Sequence, residues 1–184
     1  LAALSDAVAL LQSQRIPGVV VGGIAASILG RARATQDIDL LVWLDEARWE
    51  ALLRAAASAG FEPRIPDCLE FARRSRVLLL RHRAGAVDVD ITFGALPFER
   101  RVVDRSTLRD VGTIRVPLPT PEDLIVMKAV AHRARDLADI EGLLDANPDL
   151  DRAAVERQVK EFADSLEAPD LLSDLRALLD RRGR

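Results

Sequence analysis

The spacing of apolar residues changes along this chain, and the changes mark out its elements. Leu4, Val8 and Leu11 recur at helical spacing within residues 3–14. The stretch IPGVVVGG then reads as a turn and a short buried strand, and GGIAASILG as a short helix opened by a glycine pair and closed by Gly30. RARATQ is a polar loop. DIDLLVWL predicts a strand, and Asp45 caps a helix that runs to about Ala59 and stops at Gly60. RVLLLRHRAGAVDVDITFG predicts two strands joined by a tight turn at residues 84–86. A helix over PFERRVVDRS and one extended segment, TIRVPLP, come next.

From Thr120 onward the rhythm is helical. Thr120 suits an N-cap, Pro121 the first helical position and Asp123 the acid of a capping box, with breaks at Asn147–Pro148 and Pro169. These elements predict an α+β (mixed α/β) fold. Residues 1–118 form a small mixed sheet with flanking helices, and residues 119–184 a helical region packed on that core. There is no internal repeat, no low-complexity segment and no linker rich in Gly, Ser or Pro.

Two of the strands carry a chemical anomaly. Strand side chains alternate between faces, so Asp37 and Asp39 share one face while Ile38 and Leu40 share the other. VDVDI repeats the arrangement with Asp88 and Asp90 opposite Val87, Val89 and Ile91. If these strands are neighbours, three or four carboxylates converge. Their repulsion raises their pKa values and costs stability unless a cation neutralises them. Mg²⁺ takes hard oxygen ligands, commonly one or two carboxylates plus substrate phosphates, so the pattern predicts a Mg²⁺ site. Gly22 and Gly23, between a strand and a helix, allow close backbone approach, and amides at a helix start suit a phosphate.

Composition narrows the function. The 184 residues are 49% hydrophobic and 30% charged, as in a globular protein. The net charge of −3 argues against a nucleic-acid surface over the whole chain. An aromatic content of 4%, with no tyrosine, argues against stacking platforms for single strands. Trp43 and Trp49 read as core or boundary residues. Cys68 is alone, no apolar run nears the roughly 18–20 residues of a membrane span, and no signal peptide is visible. These features predict a cytoplasmic protein without membrane partners. His82 and His132 lack neighbours at metal-ligand spacing. Only Lys128 and Lys160 are lysines among 26 basic residues, which makes Lys128, inside the apolar LIVMKAV, conspicuous.

The stretch VVVGGIAASILGRARATQDIDLLV resembles the signature of the DNA polymerase β-like nucleotidyltransferase superfamily: an apolar strand, a Gly-Gly pair, a short helix and Asp-apolar-Asp, with a third carboxylate on a later strand. Thirteen residues separate Gly23 from Asp37, within the family's range. The form from Arg33 to Asp39, R-x-T-x-D-I-D, and the later TPEDLIVMKAVAHRARDLADIEGLL are similar to a small prokaryotic subgroup that includes AbiE-type nucleotidyltransferase toxins. The resemblance covers roughly residues 17–145.

It implies a Mg²⁺-dependent transfer of NMP from an NTP to a hydroxyl on RNA (such as tRNA), protein or a small molecule, with two metal ions. Asp37 and Asp39 match the metal-binding pair. The third carboxylate is Asp90 or Asp88, with Asp90 favoured. Gly22 and Gly23 match the triphosphate contacts, and Arg33 and Thr35, of the same motif, are counted with them and with Lys128 as nucleotide-binding residues. Lys128 is assigned to the triphosphate or to a carboxylate, and Asp136 and Asp139 to an ion-pair network or to catalysis. Arg31 and Arg33 are candidates for phosphate or an RNA acceptor. The subgroup also implies a cognate antitoxin or partner protein. Two alternatives stand beside this reading: a glycosyltransferase using D-x-D, which leaves the glycine pair unexplained, and a non-catalytic nucleotide- or partner-binding component of a toxin–antitoxin or regulatory system.

Overall fold

Five strands form the sheet that carries the aspartates, in the order β1 (Gly18–Val21), β2 (Asp37–Val42), β5 (Val87–Phe93), β4 (Val77–His82) and β3 (Phe61–Pro63). The β2–β5 pair is parallel, and the other three pairs are antiparallel. The architecture is the mixed α+β arrangement that the sequence predicts. It is seen in a computed structural model that describes residues 1–181.

The chain divides into two units. The first comprises Leu1–Ile24 and Thr35–Pro119, and the second Ala25–Ala34 and the chain from Thr120 onward. In the first, the alternation of strand side chains does what the pattern requires. Ile38, Leu40, Leu78, Leu80, Val89 and Ile91 are all buried, with at most 3% exposure. Each such side chain contributes roughly 1.5–3 kcal/mol by leaving water. Trp49, at the start of α3 (Trp49–Ser58), stacks on Phe93 at 3.8 Å and fixes that helix to the sheet. Helices α1 (Ala2–Ser13), α4 (Cys68–Ser75) and α5 (Pro97–Asp104) complete the unit, with a separate hairpin of β6 (Thr107–Val111) and β7 (Ile114–Leu118).

Several local expectations need correction. β3, α4 and β6 are additional elements. β3 is three residues long and ends in Pro63, and β6 is almost wholly exposed, so neither has an alternating pattern to read. The segment TIRVPLP is therefore one arm of a hairpin. Asp45 precedes a 3-10 turn, Glu46–Arg48, without a side-chain cap, and the α-helix begins only at Trp49.

In the second unit, α6 (Pro121–Ala131), α7 (Ala134–Ala146), α8 (Arg152–Ser165) and α9 (Asp170–Arg181) pack through Leu124, Ile125, Leu143, Val155, Val159, Leu171 and Leu175, all buried. The Thr120 hydroxyl accepts from the Asp123 N–H at 3.1 Å, as an N-cap should. Residues 25–34, which the sequence pattern groups with the first segment, cluster here. Gly30 lies so close to Gly142 that a Cβ on it would stand 3.0 Å from the α7 backbone. Asn147 donates to the Leu29 carbonyl at 2.8 Å, and Arg31 pairs with Asp145 at 3.0 Å. Among the described residues no helix is long and apolar enough to cross a membrane.

Candidate active site

The pairing of β2 with β5 decides how the four aspartates meet. Asp37 stands opposite Asp88 and Asp39 opposite Asp90, so two rows of paired carboxylates lie on one face. Neighbouring strands are about 4.8 Å apart, which puts like charges side by side. Asp37 is exposed, and Asp39, Asp88 and Asp90 are half-buried. Among the described residues the side chains of Asp37 and Asp39 have neither a hydrogen-bond nor an ion-pair partner.

Gly22 is where β1 becomes α2 (Gly22–Leu29), with φ +63°. A Cβ on Gly22 would lie 1.8 Å from Oδ2 of Asp39. The glycine is thus required twice: by a left-handed backbone and by a carboxylate lying against its Cα. Gly23 is buried just after it in α2. Thr35 is exposed, and its hydroxyl donates to the Asp37 carbonyl at a long 3.5 Å.

Arg64, just past β3, is a site residue that the sequence pattern does not single out. Its backbone N–H donates to the Leu79 carbonyl at 3.0 Å, and Leu79 faces Asp90 across β4–β5. From there the guanidinium reaches Oδ2 of Asp88 at 2.8 Å and Oδ1 of Asp90 at 2.5 Å. Arg81, opposite Asp88, approaches its Oδ1 at 3.4 Å. Asp88 is therefore held by two arginines and Asp90 by one. Burial pushes the Asp90 carboxyl above the ordinary range; Arg64 opposes that, and Asp39, Asp37 and Asp88 add to it. Nothing in the local sequence marks Arg64, because its place depends on a three-residue strand.

A hard divalent cation suits this donor set. Asp37 and Asp39, two unpartnered carboxylates from one strand, are oxygens of the kind Mg²⁺ takes together with phosphate or water, whereas Asp90 on the neighbouring strand is already paired with Arg64. Among the described residues no three His, Cys, Asp or Glu side chains close in tightly enough to chelate a metal unaided.

In the second unit, Lys128 is buried on α6 and donates to Asp136 at 2.9 Å and Asp139 at 2.8 Å, both on α7. Its ammonium thus lies between two carboxylates of the neighbouring helix. Arg33 is bidentate on Asp139, at 2.7 and 2.9 Å, and Arg133 reaches Asp136 at 2.5 and 3.2 Å. Burial pulls both carboxyls up, but hydrogen bonds from Arg133 and Lys128 to Asp136, and from Arg33 and Lys128 to Asp139, outweigh it and hold them below the ordinary range. His82 is satisfied too: Nε2 meets Asp6 at 2.9 Å, and Nδ1 accepts from the Gly85 N–H.

The fold is shared with solved nucleotidyltransferases. The antibiotic-resistance factor ANT(2'')-Ia, in its solution structure, is 15% identical with a TM-score of 0.62, over 92% of this chain and 94% of that one. An antigenic nucleotidyltransferase-like protein from Paracoccidioides brasiliensis is 20% identical with a TM-score of 0.56, over 96% and 92%. The lincomycin-bound lincosamide adenylyltransferase LnuA is 15% identical with a TM-score of 0.52, over 74% and 91%. No curated protein matches the chain. The family model for the nucleotidyl transferase AbiEii toxin of type IV toxin–antitoxin systems matches residues 4–184, and the chain therefore belongs to the AbiEii nucleotidyltransferase family.

Proposed function

We propose that this chain is a Mg²⁺-dependent transferase that moves NMP from an NTP to a hydroxyl acceptor, with Asp37, Asp39 and Asp90 as its three working carboxylates. The observation that carries the reading is the parallel register that sets Asp39 beside Asp90 while Asp39 lies against Gly22. Asp37 and Asp39 would hold the divalent ion together with the triphosphate. When bound, that ion supplies charge neutralisation at the phosphates and polarises the reacting oxygens.

The remaining work falls to the chain's own groups. Asp90 keeps Oδ2 clear of Arg64 and takes up the proton of the acceptor hydroxyl, whose oxygen then bonds to the α-phosphorus as pyrophosphate departs. Its raised carboxyl suits a base better than an ordinary aspartate does. Asp88, held by Arg64 and Arg81, is the worse candidate for that role. The backbone at Gly22 and Gly23, neither of which carries a side chain of its own, cradles the triphosphate beside Asp39. Thr35 steadies the loop that enters β2, and Arg33 and Lys128 support the fold around Asp139. As a member of a toxin family, the chain would act on RNA, a protein or a small molecule of the cell and be counteracted by a cognate antitoxin.

Calorimetry with each of the four NTPs, with and without Mg²⁺, tests the reading on the wild type, Asp37→Asn and Asp39→Asn. Binding that needs both the metal and the aspartates supports it. Equal binding by all three proteins overturns it. Transfer from an α-labelled NTP to total cellular RNA or protein then identifies the acceptor.

A further inference from the structure

Arg64 lies just past β3 and reaches the carboxylates of β5. Among the described residues it is the one cation in ion-pair contact with Asp90, and it bridges Asp88 and Asp90 from the end of an edge strand, with its side chain 23% exposed. Its backbone is fixed by the hydrogen bond to Leu79, so the guanidinium is delivered across β4 by the sheet itself. Its Nε is buried and has no hydrogen-bond partner among the described residues. The group is thus committed to the carboxylates through its two terminal nitrogens. The neutralised carboxylates are Asp88 and Asp90; the unpartnered ones are Asp37 and Asp39. The face is divided into a half that already owns a cation and a half that lacks one.

We propose that Arg64 is a built-in counter-cation that takes the place of a second metal ion on the β5 side of the face, so that the protein–nucleotide complex loads one divalent ion on Asp37 and Asp39. This rests on the metal reading of those two aspartates. A fixed guanidinium repels a divalent ion and occupies Oδ1 of Asp90, the oxygen that a second ion would otherwise share. An arginine suits the post because its fork meets two carboxylates at once and stays charged at every working pH. Arg64 is a positioning residue: it acts on Asp90 and on metal occupancy, not on the reacting atoms.

The test counts ions. Mn²⁺ is titrated into the full chain with α,β-methylene ATP, which cannot release pyrophosphate, and bound Mn²⁺ is read by electron paramagnetic resonance. The wild type is expected to take up one ion per chain, Arg64→Gln two, and Arg64→Lys one, since the lysine keeps the charge. Thermal melting with and without Mn²⁺ gives a second readout: Arg64→Gln should melt lower than the wild type without metal and gain more from Mn²⁺. One ion in both wild type and Arg64→Gln, with equal Mn²⁺ shifts in melting, overturns the role of Arg64 and leaves the metal reading standing. Two ions in the wild type overturn it equally. No Mn²⁺ in any protein, with nucleotide bound, overturns the metal reading and the Arg64 proposal together.

Discussion

On the sheet face, four aspartates stand against two cations: Arg64 and Arg81 pair with Asp88 and Asp90, and Asp37 and Asp39 have no ion-pair partner among the described residues. In the helical unit, two aspartates share three cations, Lys128, Arg33 and Arg133. The second cluster is the more deeply buried: Asp136, Asp139 and Lys128 are at most 6% exposed at the side chain. Burial therefore goes with a full complement of counter-ions, and uncompensated negative charge is kept where solvent or a ligand can reach. A buried charge without partners would cost several kcal/mol, so a fold retains one only with its counter-ions. Excess negative charge on an accessible face is instead an unsatisfied binding capacity. A site is marked by the charge left over, not by the number of charged residues.

The balanced cluster should respond most strongly to mutation. Lys128→Met removes the cation shared by Asp136 and Asp139 and leaves two buried carboxylates on Arg33 and Arg133 alone. Breaking a buried pair in this way costs about 3–5 kcal/mol. Urea denaturation measures it. A variant that stays as stable as the wild type but loses nucleotide binding would erase the contrast between the clusters and return Lys128 to the triphosphate.

The sheet face predicts the opposite profile. Asp37→Asn and Asp39→Asn should lower nucleotidyl transfer about 10²–10³-fold, the usual loss when a charge-stabilising group leaves a catalytic centre. The metal-free protein should gain stability, by about 0.2–1 kcal/mol, as like charges on facing strands are relieved. Loss of activity together with loss of stability would show that these aspartates hold the fold.

The two clusters are not equally legible in the sequence. Asp37, Asp39, Asp88 and Asp90 stand out because a period of two inside apolar runs by itself assigns each side chain to a face. Their pairing does not, since a parallel register between distant strands is set by the whole sheet. Arg64 is invisible for the same reason: it acts from beyond Pro63, in a segment too short and too polar to read as a strand. Lys128 stands out as a rare lysine in an apolar stretch, and its spacing from Asp136 and Asp139 hints at an ion pair. That Arg33 joins them follows only from the packing of residues 25–34 on α7, which Gly30 and Gly142 permit and no local pattern announces.

Gly22→Ala probes the junction that holds Asp39 in place. At φ +63° an alanine is strained, and its Cβ would force the Asp39 carboxylate aside. The expected cost is about 1–3 kcal/mol, read by thermal melting, with a fall in transfer activity because Asp39 is displaced. Restored stability without restored activity in Gly22→Ala/Asp39→Ala would locate the clash at this carboxylate. A double variant no more stable than Gly22→Ala would place the strain in the backbone alone.

The mildest consequence is in pH dependence, and its sign differs between the clusters. Asp136 and Asp139 are held below the ordinary carboxyl value of about 3.9. Their contribution to stability is complete above that value and disappears as pH falls through their lower folded values. Asp90 is held above it, by burial first. The fold favours its protonated form, so its contribution is present below the unfolded value and is lost as pH rises through the folded one. Acid should therefore weaken the helical unit while it relieves the sheet face. Carboxyl-carbon NMR titration of the metal-free protein should find Asp90 titrating at higher pH than Asp136 and Asp139. In Arg64→Gln, Asp90 should move higher still, because the group that opposes its burial is gone. An Asp90 that titrates below the ordinary range would mean that Arg64 outweighs burial, and the face would then be balanced in the same manner as the buried cluster.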